Sequence, residues 1–307
     1  MTPPRHSVPP AVRELPPLHV DPIVVASSVL RLAHLSDLHH QIDWRRRSFW
    51  SSGWRGAPGR FELHLLGRFH RFAGVEQRIA RLVDQVLALA PDRVLLTGDL
   101  TALGDEAELR HARALLEPFI AAGLLVVIPG NHDRYTDARG GAFELVFADL
   151  LQSDLPELAD PRGYPFVKLV GDRHALVGLD STRVQGWSHY VVGRLGTPQL
   201  RRLARVLEHP LLDRRTVLLL VHHGPAGPSG EFDWNESGLI DAGELLRTVR
   251  DRPVVLLHGH SHQRYWHRAR PGRPHLIAGG SSTERPGFWE LQVEDHRAVE
   301  AVAHPLQ

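Results

Sequence analysis

Short runs of consecutive aliphatic residues recur along the chain, and each ends in a polar or glycine-containing turn. They are "VLRLAHLSD" (29–37), "RVLLTGD" (93–99), "LLVVIPGNHD" (124–133), "HALVGLD" (174–180), "TVLLLVHH" (216–223) and "PVVLLHGH" (253–260). Uniformly apolar runs of this length predict strands buried on both faces, not the alternating pattern of a half-solvated sheet. Helical patterns lie between several of them. In residues 75–90 the positions Val75, Ile79, Leu82, Val83, Val86 and Ala90 recur at helical spacing, and Pro91 marks the end. "DEAELRHARALLEPF" (105–119) and "TPQLRRLARVLEH" (197–209) read the same way, the second with Thr197 as N-cap and Pro198 at the first helical position. "DAGELLRTVRD" (241–251) is a shorter helix.

Strands alternating with helices predict an α/β domain. "YPFVKLVGDRHALVGLD" (164–180) reads instead as a hairpin turning at Gly171 and Asp172, so the sheets are expected to be mixed. No internal repeat is present, and no linker divides the chain after residue 28. Residues 29–307 are therefore expected to form one domain. Before it, the Pro-rich segment 1–28 has no signal-peptide hydrophobic region and reads as a disordered tail. A cytoplasmic location is the expectation, since no apolar run approaches the roughly 18 residues of a membrane span.

The polar residues gather where the strands stop. The first run ends in "SDLHH" with Asp37 and His39, the second in "TGDL" with Asp99, and the third in "PGNHD" with Asn131, His132 and Asp133. Later runs end in "VHHGP", with His222 and His223, and in "HGHSH", with His258, His260 and His262. In α/β sheets, functional groups collect at strand carboxyl ends, where a crevice exposes them. Any one of these histidines reads equally well as a hydrogen-bonded core residue, and His34 and His258 are read that way. Five such clusters together point to a common site.

Composition narrows the chemistry. The 307 residues contain no cysteine, so any metal must be held by nitrogen and oxygen. Carboxylate, amide oxygen and neutral imidazole suit Mn, Fe, Zn or Co, whereas Mg or Ca alone favours oxygen throughout. The inventory fits a pair of divalent ions bridged by one aspartate, which polarises a phosphoryl group and supplies a hydroxide. A net charge of +1 provides no global field for nucleic acid.

The ordered motifs D-x-H, G-D, G-N-H-D, strand-terminal H and G-H-x-H resemble the calcineurin-like metallophosphoesterase superfamily over roughly Val29 to His262. The wording is most similar to bacterial cyclic-nucleotide phosphodiesterase-like members. The resemblance implies a four-layer α/β/β/α sandwich with two mixed sheets. It implies that Asp37, His39, His262 and Asp99 bind one metal, that Asn131, His222 and His260 bind the other, and that Asp99 bridges. It further implies that His132 is the catalytic residue, protonating the leaving oxygen or stabilising charge on the phosphoryl group, while a metal-bridging hydroxide attacks phosphorus. The "HHGP" block departs from the usual H-H-P-P by a glycine. His222 is expected to be its ligand, with His223 as the alternative or a substrate contact. Asp133 is left as either a partner of His132 or a turn residue. His260 and His262 are expected to face one side of an extended segment.

Residues 41–72 are particular to this chain. The segment carries Arg45, Arg46, Arg47, Arg55, Arg60, Arg68 and Arg71, and Trp44, Trp50 and Trp54 among seven tryptophans in the whole chain. Following two expected ligands, it reads as a substrate cap, a contact with anionic membrane, or a plain surface insertion. Arg45 is the candidate substrate contact there. Trp234, in the Gly/Pro-rich loop 224–239, is another. The expected partner is a small phosphoester, with no specific nucleic acid. A phosphodiesterase is the first reading. A pyrophosphatase for lipid-linked or nucleotide-sugar substrates is the enzymatic alternative, and a non-catalytic metal-binding scaffold a distant one.

Overall fold

The computed structural model of the chain describes residues 29–42, 74–136, 141–182, 192–231 and 238–307. The tail 1–28, most of the Arg/aromatic segment including Arg45, and Trp234 lie outside the described residues.

Each aliphatic run becomes a strand. They are β1 (Leu30–Leu35), β2 (Arg93–Leu96), β3 (Leu125–Val127), β5 (His174–Gly178), β6 (Thr216–Leu220) and β7 (Val254–His258); the hairpin supplies β4 (Phe166–Val170) ahead of β5. Four more follow: β8 (Arg264–His267), β9 (His275–Gly279), β10 (Gly287–Val293) and β11 (Val299–Pro305). One sheet has the order β11-β10-β1-β2-β3 and the other β4-β5-β6-β7-β9-β8. Within the first, β1, β2 and β3 are parallel, Ala33 lying opposite Val94 and Val94 opposite Leu125. Within the second, β5, β6, β7 and β9 are parallel. Antiparallel strands close the edges: β10 and β11 on one sheet, β4 and β8 on the other.

Alternation along the strands shows how the two sheets bury both faces. Leu218 and Leu220 of β6, with Val255 and Leu257 of β7, share a core with Leu32, Leu95 and Val127 of the first sheet. The intervening Val217, Leu219, Val254 and Leu256 pack instead with Leu203 of helix α5 (Gly196–Leu207) and Leu245 of α6 (Ala242–Thr248). Helices α1 (Val75–Ala88) and α2 (Glu106–Leu115) contribute Ile79, Leu82, Val86 and Leu109 to the first core. The layers are thus α/β/β/α, as the resemblance implied. Each such Leu or Val withdraws a side chain worth about 1.5–3 kcal/mol from water.

Three helix boundaries differ from the sequence reading. The expected helix over 105–119 is two: α2 ends at Leu115, and a short α3 (Glu117–Ala121) begins after Leu116, which sits at φ −93°, ψ 1°. Pro118 cannot donate to the preceding turn, so the first helix cannot run through it. Helix α5 starts at Gly196, ahead of Thr197, because the Asp241 carboxylate accepts from the Leu195 and Gly196 amides at 3.1 and 2.7 Å and takes over the capping role. Ala90 lies past the end of α1 at φ 48°. One further short helix, α4, spans Ala142–Val146. Among the described residues, no helix is long and apolar enough to cross a membrane.

Candidate metal centre

The carboxyl ends of β1, β2, β3, β6 and β7 meet at one edge of the two sheets. The stretch after β1 continues alongside that after β2: Asp37 donates to the Gly98 carbonyl at 3.0 Å and His39 to the Asp99 carbonyl at 2.9 Å. Gly98 has φ 94°, and a Cβ there would stand 2.6 Å from His222 Nδ1. Gly130, next to Asn131, lies against the Asp99 main chain and carboxylate, where a Cβ would have no room. Two glycines therefore let three strand ends approach one another.

The backbone is strained where the donors sit. Non-glycine residues with positive φ in the described chain are Asp37 (53°), His39 (47°), Ala90, Asp99 (53°), Asp251, His260 (69°) and His262 (52°). Five of the seven are the expected ligands. A left-handed conformation costs an L-residue roughly 1–2 kcal/mol, and Asp and His accept it more readily than most. Such strain is stored at sites rather than scattered over a fold. It also corrects the reading of "HGHSH": β7 ends at His258, and residues 260–262 form bends, not an extended segment.

Two groups of donors result. His39 Nε2 stands 2.9 Å from His262 Nε2, and Asp37 Oδ1 lies 3.8 Å from the first and 3.4 Å from the second. Asn131 Oδ1 stands 3.0 Å from both His222 Nε2 and His260 Nδ1. Asp99 Oδ2 lies between the groups, 3.8 Å from His39 Nε2 and 3.4 Å from His222 Nε2. The Asp37 carboxylate also accepts from the His260 amide at 3.0 Å, so the groups share walls. All seven expected ligands converge.

The electrostatics suit cation binding. Burial, together with the positive field of His222, pushes His260 down to about 3. Burial and neighbouring His132 hold His39 well below the usual histidine range. Both therefore present neutral imidazoles, the form that ligates metal. Burial also opposes charge on His222 and His262, but Asp99 raises the first to about 9, and Asp37 with Glu284 raises the second to about 9. Despite burial, Asp37 is drawn down to about 2 by His262, and Asp99 lies well below the carboxylate range through its histidine neighbours. Two carboxylates, one amide oxygen and four imidazoles, with no thiolate, fit a pair of borderline transition ions.

His132 stands beside these groups. Its Nδ1 meets the Ala102 carbonyl at 2.9 Å, its amide donates to Asp99 Oδ1 at 2.8 Å, and its ring lies 4.6 Å from that of His39. Asp133 is a turn residue and does not orient His132: its carboxylate accepts from the amides of Gly130, Leu100 and Thr101 and from the Thr101 hydroxyl, at 2.8–3.2 Å. His222 Nδ1 meets the Thr97 carbonyl at 2.7 Å, which aims Nε2 at Asn131. His223 is equally buried; its Nδ1 meets Ser181 Oγ at 2.8 Å, while its Nε2 has no hydrogen-bond partner among the described residues. His258 and His34 are core residues, with His34 Nε2 2.9 Å from Thr97 Oγ1.

Sequence reasoning passed over three contributors. Glu284 Oε2 meets His262 Nδ1 at 2.8 Å. Ser281 Oγ donates to the Asp37 carbonyl at 2.9 Å. Tyr135 places its hydroxyl 3.4 Å from His132 Nε2 and 3.2 Å from Asn131 Nδ2. The signal for the first two was the "GGSSTE" stretch after β9, which has the same strand-then-polar form as the five motifs.

Residues 30–264 match the family model described as calcineurin-like phosphoesterase, and the chain belongs to that family. It is 31% identical over 209 residues to a cAMP/cGMP dual specificity phosphodiesterase of Mycobacterium tuberculosis (strain CDC 1551 / Oshkosh). That match takes in 66% of this chain and spans 59% of the relative's length. Its fold is similar to that of a dimetal phosphatase from Danio rerio, at TM-score 0.57 and 14% identity, covering 94% of this chain and 100% of the other. A purple acid phosphatase from yellow lupin seeds gives TM-score 0.56 at 15% identity, over 91% of this chain and 52% of its own. At these identities the two structures speak for the fold alone.

Proposed function

We propose that the protein is a metal-dependent phosphohydrolase that cleaves a phosphodiester. The observation that carries this reading is the position of Asp99. Its Oδ2 lies within 3.8 Å of His39 and 3.4 Å of His222, between two donor groups, as a bridging carboxylate requires. Asp37, His39 and His262 would hold one ion, and Asn131, His222 and His260 the other. When bound, such a pair supplies Lewis acidity toward phosphoryl oxygens and an activated water.

The chain's own residues supply the rest. The His132 Nδ1 contact with Ala102 fixes the ring and leaves Nε2 toward the site, where a protonated imidazole donates to the departing oxygen. The Tyr135 hydroxyl, 3.4 Å from that Nε2, helps hold it in place. Preference for a diester is supported by the curated relative, whose name specifies cyclic nucleotides. Arg45 and Trp234 are kept as substrate contacts, His223 as a contact or a further donor, and the partner as a small phosphoester.

The test is Mn-supplemented hydrolysis of bis-nitrophenyl phosphate against nitrophenyl phosphate. Higher kcat/KM on the diester supports the reading. Higher kcat/KM on the monoester would replace it with a phosphomonoesterase, and no turnover of either in metal-loaded protein would favour a pyrophosphate substrate.

A further inference from the structure

We propose that His40, His111 and Glu76 form a separate site for one divalent transition ion, outside the pair described above. His39 and His40 are adjacent in sequence but serve different places. His39 faces His262 and Asp37. His40 instead faces α2, where its Nε2 stands 2.7 Å from His111 Nδ1. Glu76, in the first turn of α1, brings Oε1 to 3.7 Å from the same His111 nitrogen.

His40 is rigidly seated for this. It is fully buried, donates to the Leu100 carbonyl at 2.8 Å, and accepts from the Ala102 amide at 2.8 Å. His111 and Glu76 are half exposed at the outer side, which gives an ion a way in. Two ligands about 2.0–2.1 Å from a tetrahedral ion stand about 3.3 Å apart, a spacing that 2.7 and 3.7 Å bracket. The spacings match those within the Asp37/His39/His262 group, at 2.9, 3.4 and 3.8 Å. The rival is a plain imidazole–imidazole hydrogen bond with Glu76 as a bystander.

Two imidazoles and one carboxylate with an open position form a donor set typical of zinc, while Mg and Ca prefer oxygen throughout. A bound ion would tie the loop after β1 to the first turn of α1 and to α2, one residue from a ligand of the main centre.

The experiment is zinc loading of metal-stripped protein, desalting, and metal counting by mass spectrometry. His111→Ala is expected to retain about one zinc per chain fewer than wild type, and Glu76→Gln to lose the same ion at lower chelator concentration. Zinc should also raise the melting temperature of wild type more than that of either variant. Equal zinc retention and equal melting shifts in all three proteins would overturn the proposal and leave the hydrogen bond. If His111→Ala does not fold, Glu76→Gln decides by the same comparison. All three chains keep the main centre, so the difference between them reads this site whatever the substrate proves to be.

Discussion

Glu284 Oε2 meets His262 Nδ1 at 2.8 Å, while the opposite ring nitrogen, Nε2, faces His39 and Asp37. The carboxylate therefore selects the tautomer and the ring orientation that His262 would need to hold a metal through Nε2. Glu284→Ala is expected to weaken metal affinity at that centre by about 10–100-fold, with Glu284→Gln losing less because an oxygen acceptor remains. Chelator competition checks this. Unchanged affinity in Glu284→Ala would show that packing alone positions His262.

In the proposed mechanism His132 acts on the substrate side of the site. His132→Ala should lower kcat for diester hydrolysis by about 10²–10⁴-fold and leave metal content unchanged. Kinetics and metal counting on one preparation decide the matter. Joint loss of metal and activity would make His132 a ligand instead.

Gly259 shows how little space surrounds Asp37. A Cβ there would run into Ser36 Oγ and stand 2.6 Å from Asp37 Oδ2. Gly259→Ala should cost roughly 1–3 kcal/mol of stability, as overpacking does, and displace the aspartate. A lowered melting temperature together with weaker metal retention is the expected result. Normal values of both would mean that the strand ends have slack.

His34 gives the fold a pH dependence of known sign. Burial, with His258 and Arg264 nearby, pushes it down to about 3, from 6.5 when unfolded. Above pH 6.5 both states are neutral and nothing is lost. Below it the unfolded chain takes the proton first, so stability falls by about 1.4 kcal/mol per pH unit toward pH 3 from this residue. Denaturant titrations between pH 7 and 5 should show a shallower decline in His34→Gln, which keeps a polar contact to Thr97. Identical slopes in the two proteins would remove His34 from the account.

The strands were legible in the sequence because burial on both faces leaves few polar residues inside a run; in β1 only exposed Arg31 and hydrogen-bonded His34 interrupt it. The convergence of the expected ligands was legible because polar residues at such ends have few structural uses. The local geometry was not. The expectation that His260 and His262 belong to different donor groups stands, but alternation put them on an extended segment, whereas the backbone is left-handed at both positions. Pattern alone also could not place Asp241 as the cap of α5, since that depends on a partner distant in sequence, whereas the break at Leu116 was legible in Pro118 and was passed over. Glu284 escaped because the turn that follows β9, residues 280–286, carries no histidine or aspartate to mark it.

The most direct measurement removes and restores the metals. Diester hydrolysis should vanish when chelator strips the protein and return on adding manganese, while Asp99→Asn stays inactive under both conditions. Hydrolysis that persists in stripped protein, or an active Asp99→Asn, would contradict a catalytic centre built on the bridging aspartate.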